Sequence, residues 1–393
     1  MVPSGVKGYG KLKGRNVRSP SDAPSRWIVL FVGLLATALL LLGCGRQPNL
    51  FDEHGIGRPR PRTGRYATAT IGGATFLDLD DVGMHSYYTG RRWERNGIVY
   101  TCRAGHVDLA HVRKSADWTA YAAEKVVAVI GKGQTEFSLK VSDPVRYFVT
   151  LRYPCDWNER PATEKRRLAT EVAIELGQYL GFAISAWHEI ITWFGYRNIP
   201  LYPEFPSAFS WEDSFSDLLG SHLGAAALRD TVRPFDIAMT LALKNELEML
   251  GAQPKNIAAK AARQVEGNWY SDGFLFLVQM NKRNLDLGVD DGHITPWIVR
   301  DLDACPGAEP RAYAVPSLSG LCELGFTAKV EIEPGGLERN KILQVVYPDP
   351  NKRADRIEPD LHFRPIMEHI RWEAIERFGP EVDVPWPDET PGN

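Results

Sequence analysis

Residues 163–194 read TEKRRLATEVAIELGQYLGFAISAWHEIITWF, and this stretch decides the fold. Its apolar residues recur with the helical period over about nine turns, and Gly195 follows directly as a residue that commonly ends helices. Its polar residues fall on one narrow stripe of the helix: Glu171, Glu175, Gln178, Ser185, Glu189 and Thr192. Because apolar side chains surround this stripe, the sequence predicts a central buried helix with one polar seam.

The flanking sequence predicts an α+β fold around this helix. Further helices are expected from the apolar periodicity at 108–123, with Asp108 as the cap, from Ser210 onward, and at 235–250, 254–265 and 361–378. Strands are expected from β-branched and aromatic runs at 97–102, 124–130, 135–141, 146–151, 327–332 and 341–347. The expected architecture is central buried helices with a small antiparallel β meander (124–151) and a C-terminal β/α segment.

The N-terminus indicates export and lipid anchoring. A basic leader precedes the uncharged apolar run 28–43, which at sixteen residues is shorter than the roughly 20 that a membrane-spanning helix needs. The end of the run, Leu41-Leu42-Gly43-Cys44, resembles the lipobox of bacterial lipoproteins, in which the cysteine is acylated. The sequence therefore predicts a lipoprotein signal peptide at 1–43, lipidation of Cys44, a Pro- and Arg-containing tether at 44–65, and a single globular α+β domain at 66–390. An uncleaved anchor helix is the alternative.

These features predict a cellular location and argue against nucleic acid as a partner. A lipidated chain with Gly45 after the cysteine is expected in the bacterial cell envelope, at the outer membrane and facing the periplasm. Its membrane contact is then the N-terminal lipid, and its substrate or protein partner belongs to the envelope. The formal net charge of −3 on 393 residues argues against nucleic acid, which calls for a strongly basic surface.

Four cysteines beyond the lipidation site are candidates for disulfides. An exported chain meets an oxidising compartment, so Cys102, Cys155, Cys305 and Cys322 predict two bridges among three possible pairings. The favoured pairing is Cys305 with Cys322, which closes a short Pro- and Gly-containing loop, and Cys102 with Cys155. None of the spacings is typical of a structural zinc site.

The candidate catalytic residues are His and carboxylate groups on three predicted helices. Asp108 and His111 share a helix face at the i, i+3 spacing, and His188 and Glu189 lie on the central helix. The stretch from His188 begins like a zinc protease helix, but Thr192 stands where a second histidine ligand is required. A structural interpretation remains open for each group: a capping Asp108, a half-buried His111, a Glu189 bonded to another helix, and solvent-facing Asp213 and Asp217.

Several of these phrases together resemble an uncharacterised bacterial lipoprotein family, the domain of unknown function numbered four thousand and fifty-six. The resemblance is carried by 79–85, 94–102, 105–118, 188–195 and 209–220, and extends from about residue 65 to about residue 380. It supports the lipoprotein interpretation and implies no activity.

The leading hypothesis is a hydrolase site, with His111, His188 and Glu189 as the catalytic residues. In its metal-assisted form, a divalent cation such as zinc is held by Asp108, His111, His188 and Asp213 and activates a water, with Glu189 as the base. A metal-free form uses two carboxylates, as Glu189 and Asp213 provide. The rival hypothesis is a non-catalytic envelope binding or assembly lipoprotein whose eleven tryptophans contribute a partner surface.

Overall fold

The structure is a computed structural model that describes residues 75–386 apart from 88–92, 142, 198–203 and 273–277, together with residues 58, 59, 62, 64, 65 and 67. All described residues belong to one compact unit, residues 47–393. The predicted signal peptide, Cys44 and most of the predicted tether lie outside the described residues. Among the helices that are described, none has the length and apolar character needed to span a bilayer.

The fold is of the α+β class, as predicted. The helices of the described residues are α1 (Leu109–Gly131), α2 (Ala162–Trp193), α3 (Asp213–Arg229), α4 (Phe235–Met249), α5 (Lys255–Gln264), α6 (Ser319–Glu323), α7 (Arg339–Val346) and α8 (Pro359–Phe378). The strands are β1 (Ile98–Thr101), β2 (Gly105–Asp108), β3 (Glu136–Lys140), β4 (Val145–Arg152), β5 (Tyr270–Asp272), β6 (Val278–Met280), β7 (His293–Ile294), β8 (Tyr313–Ala314) and β9 (Thr327–Pro334).

A β hairpin leads directly into the first helix. Strands β1 and β2 pair antiparallel, and the last residue of β2, Asp108, is also the cap of α1. Its side chain accepts a hydrogen bond from the Ala110 N–H at 2.7 Å, which satisfies one of the free amides of the first helical turn. The predicted cap is thus confirmed, and it places Asp108 one turn from His111.

The decisive stretch forms α2, whose bounds match the prediction within a residue. It ends with Phe194 as the C-terminal cap and Gly195 at a φ of +107°, a backbone conformation that favours glycine. Most of its residues from Val172 to Trp193 are buried, including the polar Ser185 and Glu189. The central buried helix with polar residues inside is confirmed.

Helix α1 is packed between α2 and α3 at backbone distance. A Cβ added at Gly181 of α2 would lie 2.2 Å from Thr119 Oγ1, and one added at Gly220 of α3 would lie 2.2 Å from the carbonyl oxygen of Val112. Both helices therefore present glycine to α1 where the backbones meet. This close approach brings the polar residues of the three helices together.

A three-stranded antiparallel sheet has the order β3-β4-β9. Two of the three predicted meander strands are β3 and β4, but the predicted strand 124–130 is wrong because α1 continues to Gly131. Here tertiary packing outweighs the strand propensity of the β-branched residues. Ala123 contacts Gly177 of α2, and Val126 and Ile130 continue the same buried face of the helix. The place of the third strand is taken by β9 from the C-terminal part of the chain.

The C-terminal segment contains a second misassigned strand. Residues 339–346 form α7, where 341–347 was predicted to be extended. Ile342 and Leu343 are buried while Lys341 and Gln344 are exposed, so the helix buries one side only. The segment is too short for this helical period to be recognised in the sequence. The strand at 327–332 and the closing helix at 361–378 are confirmed as β9 and α8.

One disulfide joins Cys102 to Cys305 across 203 residues, with Cα atoms 5.3 Å apart. Both predicted pairings are therefore wrong, and Cys155 and Cys322 are free and exposed. The segment after Cys305 returns to the end of β1, where the Arg311 N–H donates to the carbonyl of Arg103 at 2.8 Å. Proximity in sequence was a poor guide because the tertiary fold brings distant segments together here.

Candidate functional site

Three helices bring acid and base side chains into one cluster, which we call the helix cluster. Its members come from the start of α1, the end of α2 and the start of α3: Asp108, His111, Lys114, His188, Glu189, Glu212, Asp213 and Asp217. The i, i+3 pair predicted from the sequence is present, with 3.6 Å between His111 Nδ1 and Asp108 Oδ2. The sequence predicted that His111, His188 and Glu189 converge with Asp108, Asp213 or Asp217. The structure brings His111, Glu189, Asp108 and Asp213 together, whereas the closest charged partner of His188 is Asp143.

His111 and Asp213 form the closest ion pair of the helix cluster. Nδ1 of the imidazole lies 3.0 Å from Oδ1 of the carboxylate, and both side chains are largely buried. Burial opposes the charged imidazole, and so does Lys114, but Asp213, Asp108 and Asp217 outweigh both and raise the pKa of His111 to about 10. His111 is therefore an imidazolium at neutral pH.

Glu189 is a buried carboxyl group of the helix cluster whose pKa lies near neutrality. Burial raises its pKa and the neighbouring Asp213 adds to this, against the opposing charges of His188, His111 and Lys114, so that the pKa of Glu189 is about 7. Its Oε2 accepts a hydrogen bond from the Phe209 N–H at 2.9 Å. A carboxyl group that is half protonated at neutral pH is suited to general acid and base catalysis.

The turn before α3 orients both carboxylates. Phe209 has a φ of +56°, an uncommon conformation for a residue with a side chain. In this conformation the Phe209 N–H meets Glu189, and the next amide, that of Ser210, donates to Asp213 Oδ2 at 3.0 Å. The predicted helix start at Ser210 is wrong, because α3 begins at Asp213 and Glu212 is its cap. Of the predicted capping box, only the hydrogen bond from the Ser210 amide to the Asp213 side chain is present.

Arg283 donates hydrogen bonds to the segment that leads into this turn, and it was not among the residues predicted from the sequence. Its guanidinium donates to the carbonyl oxygens of Ala208 and Pro206, and it is fully buried among the rings of Trp193, Phe205 and Phe378. Burial lowers the pKa of Arg283 to about 10, opposed by the charges of Asp213 and Glu189. No local sequence pattern around residue 283 distinguishes it from a surface arginine.

Lys114 is a member of the helix cluster that was not among the residues predicted from the sequence. Its Nζ lies 3.9 Å from Asp217 Oδ1. Burial works against its charge, but Asp217, Glu189 and Asp213 together raise the pKa of Lys114 above its usual value. Lys114 is three residues after His111, as His111 is three after Asp108, so the shared helix face was a signal available in the sequence.

His188 lies at the edge of the helix cluster rather than beside His111. Its Nδ1 is 3.1 Å from Oδ2 of Asp143, and 23% of its side chain is exposed. Burial disfavours the imidazolium, but Asp143 outweighs it and raises the pKa of His188. Asp143, in the loop between β3 and β4, is a partner that no sequence pattern indicated.

Two carboxylates at the helix starts bind main-chain amides of residues 62–67. Asp108 accepts a hydrogen bond from the Arg65 N–H, and Glu212 Oε1 accepts one from the Ala67 N–H at 3.0 Å. Burial is the largest cause of a raised pKa at both Asp108 and Glu212. Asp217 differs, since both of its buried oxygens accept no hydrogen bond from the described part of the chain.

The four residues proposed as metal ligands do not form a ligand set in the described residues. Within the part of the chain that the structure describes, no three His, Cys, Asp or Glu side chains are arranged to hold a metal ion. Asp108, His111 and Asp213 lie together, whereas His188 faces Asp143.

The family of the chain follows from comparison with family models. The model described as "Protein of unknown function (DUF4056)" matches residues 67–276, which is more than half of the chain. The chain belongs to this family. The DUF4056 match contains every member of the helix cluster, while Arg283 lies just beyond it. No curated protein and no solved structure matches.

Proposed function

We propose that the protein is a hydrolase of acyl bonds that uses acid and base chemistry at Glu189. The observation that supports this best is the pKa of Glu189, about 7, at a buried position beside the charged groups of His111 and Lys114. His111, Lys114 and His188 each keep part of their side chains exposed, between 14% and 23%, so the helix cluster has a route to solvent. A carboxyl group that can act as a base, next to two cations that can stabilise an oxyanion, is suited to hydrolysis of a carbonyl compound.

The reaction proceeds in two proton transfers at one carboxyl group. As a carboxylate, Glu189 removes a proton from a water whose oxygen attacks the carbonyl carbon, and the π electron pair moves onto the carbonyl oxygen. The imidazolium of His111 and the ammonium of Lys114 stabilise this oxyanion. When the bond to the leaving group breaks, Glu189 returns the proton to the leaving oxygen or nitrogen.

The proposed setting is the bacterial cell envelope, through lipid on Cys44. The proposal is supported by the apolar run 28–43, whose last residues and the cysteine after them read Leu41-Leu42-Gly43-Cys44. If the proposal is right, the wild-type protein incorporates labelled palmitate and sediments with the outer membrane, and Cys44→Ser abolishes both. A Cys44→Ser protein that still carries label and still sediments would contradict it.

The catalytic proposal is tested by Glu189→Gln, which keeps the shape of the side chain and removes its proton chemistry. Against a panel of chromogenic esters and peptidoglycan-derived peptides, we expect kcat to fall about 10²- to 10⁴-fold. We also expect the wild-type pH–rate profile to show a limb near pH 7 that the variant lacks. Glu323→Gln, on the exposed face of α6, is the matched control. Equal rates for Glu189→Gln and wild type would refute the proposal.

A metal-assisted form of the same hydrolase is the second candidate. The observation that favours it is Asp217, whose two buried oxygens accept no hydrogen bond from described residues. In this form, protein purified without chelator contains a divalent cation such as zinc, and Asp217→Asn lowers the metal content. The metal-free form predicts that treatment with a chelator leaves the rate unchanged.

The non-catalytic candidate is an envelope binding lipoprotein. It is favoured by two tryptophans, Trp93 and Trp372, whose exposed fractions are 58% and 60%. Exposed aromatic side chains of this size are typical of partner surfaces. If this function is correct, Ala at both tryptophans abolishes the cellular phenotype of the gene while Glu189→Gln preserves it; the hydrolase proposal predicts the reverse.

A further inference from the structure

Residues 62, 64, 65 and 67, which we call the strap, lie along α1 and the start of α3. Arg62 reaches Asp117 in the second half of α1, the Arg65 amide reaches Asp108 at its start, and the Ala67 amide reaches Glu212 beside α3. The strap thus runs antiparallel to α1 and passes over the helix cluster.

Two of these contacts use only the main chain of the strap. The N–H groups of Arg65 and Ala67 donate to the buried carboxylates of Asp108 and Glu212. Any extended polypeptide offers such donors, whatever its side chains. The carboxylates of the helix cluster are therefore matched to a peptide backbone.

A third contact selects for a residue without a side chain. A Cβ added at Gly64 would lie 2.7 Å from Cε1 and 3.0 Å from Nε2 of His111, and 3.1 Å from Asp108 Oδ2. These distances are shorter than van der Waals contact, so the imidazole accepts glycine at this position and excludes larger residues.

The fourth contact is a pocket for an arginine side chain. The Arg62 guanidinium donates to both oxygens of Glu94 at 2.7 and 2.8 Å, to Asp117 at 2.5 Å and to the carbonyl of Ser86 at 3.2 Å. Burial opposes its charge, but Asp117 and Glu94 outweigh burial and raise the pKa of Arg62 above its ordinary value. Two buried carboxylates in fork geometry are a specific receptor for a guanidinium.

We infer that this groove is a peptide-binding site for an extended Arg-x-Gly segment, and that the strap is its occupant from the same chain. The inference rests on the proposed function in one respect: a peptide in this groove lies across His111 and Asp108, so peptides are the substrate class. The strap then covers the site until it is displaced. Because it is tethered to the groove, its effective concentration is in the millimolar range, and an outside peptide competes only when the strap is weakened.

The first test measures whether the strap can be released. Arg62→Ala and Gly64→Ala, made in the full chain, are expected to speed hydrogen exchange of the strap amides by roughly tenfold or more, measured by mass spectrometry. Gly131→Ala, where an added Cβ meets nothing within 4 Å, is the matched control and leaves the exchange unchanged. Unchanged exchange in both strap variants would overturn the inference.

The second test asks whether a peptide takes the vacated place. A fluorescent peptide with the sequence of residues 58–67, RPRPRTGRYA, is expected to bind the Arg62→Ala protein in an anisotropy titration and not the wild type. A peptide with Val at the position of Gly64 is expected not to bind. If Arg62→Ala does not fold, Arg62→Lys keeps the buried charge and loses the forked hydrogen bonds, and serves in its place. Equal binding of both peptides, or of neither, would overturn the inference.

Neither readout requires turnover, so the two proposals fail separately. Peptide binding without hydrolysis of any substrate supports this inference and contradicts only the proposed function. Hydrolysis that depends on Glu189, together with no binding of the peptide, contradicts only this inference.

Discussion

Gly220→Ala tests whether the close packing of α1 and α3 builds the site. The new Cβ would lie 2.2 Å from the carbonyl oxygen of Val112, whereas an ordinary carbon–oxygen contact is about 3.3 Å or more. Helix α3 must therefore move away from α1 by about 1 Å. Overpacking of this degree costs up to about 3 kcal/mol, and the better helix propensity of alanine returns up to about 1 kcal/mol. We expect a net loss of about 2 kcal/mol in the free energy of unfolding.

The same displacement reaches the ion pair of the site. His111 is adjacent to Val112 on α1, and Asp213 lies on α3, so a 1 Å separation of the helices lengthens their 3.0 Å contact toward about 4 Å. At an effective dielectric constant near 20, this weakens the attraction by about 1.4 kcal/mol, which corresponds to about one pKa unit. We expect the pKa of His111 to fall by that amount from its value of about 10.

The assay is urea unfolding followed by circular dichroism, with the His111 titration followed by NMR. Gly131→Ala is the control because its added Cβ meets open space, and it is expected to be at least as stable as wild type. A Gly220→Ala protein as stable as wild type would refute the packing argument. A destabilised protein with an unchanged His111 pKa would refute the link between packing and the site.

Three further predictions follow from the described residues. Because the pKa of Glu189 is raised to about 7 in the folded protein, its protonated form stabilises the fold at low pH, and this contribution is lost as pH rises from about 4.5 to about 7. The free energy of unfolding of the wild type, measured with urea at several pH values, should therefore fall over this range. Glu189→Gln should remove this pH dependence. Replacing Arg283 with Met removes a positive charge beside Glu189, so the midpoint of this pH dependence of stability should move to higher pH. An unmoved midpoint would contradict the charge interaction between Arg283 and Glu189. In a Cys44→Ser background, Ellman's reagent should titrate two thiols in the native protein, and peptide mapping should place the label on Cys155 and Cys322; four reactive thiols would contradict the disulfide.

The sequence was informative wherever a pattern was long or local. The period of α2 extends over 32 residues, so its bounds and its burial could be predicted. The Asp108 cap and its i, i+3 relation to His111 depend on neighbouring residues alone, and both are confirmed. Six of the eight members of the helix cluster could also be named in advance: Asp108, His111, His188, Glu189, Asp213 and Asp217.

The predictions that were wrong, and the residues that were not predicted, depend on contacts between segments distant in sequence. Residues 124–130 have β-branched side chains typical of a strand, but the contact of Ala123 with Gly177 continues α1 through them. Asp143 and Arg283 reach the site from a loop and from a segment after α5, where no periodicity points toward α2. The Cys102–Cys305 pair likewise follows from the return of the chain to β1.

The Cys102–Cys305 bond also sets an order of events as the chain is made. Synthesis runs from the N-terminus, so Cys155 emerges 150 residues before Cys305, and among the four cysteines after Cys44 it is the first with which Cys102 can pair. A bridge between Cys102 and Cys155 closes a shorter loop, which is entropically the easier one to form. Reaching the native bond from that state requires thiol–disulfide exchange, in which a thiolate attacks the early bridge and frees Cys155. If the chain is exported as proposed, its maturation is therefore expected to depend on a disulfide isomerase, although the described residues contain a single bridge.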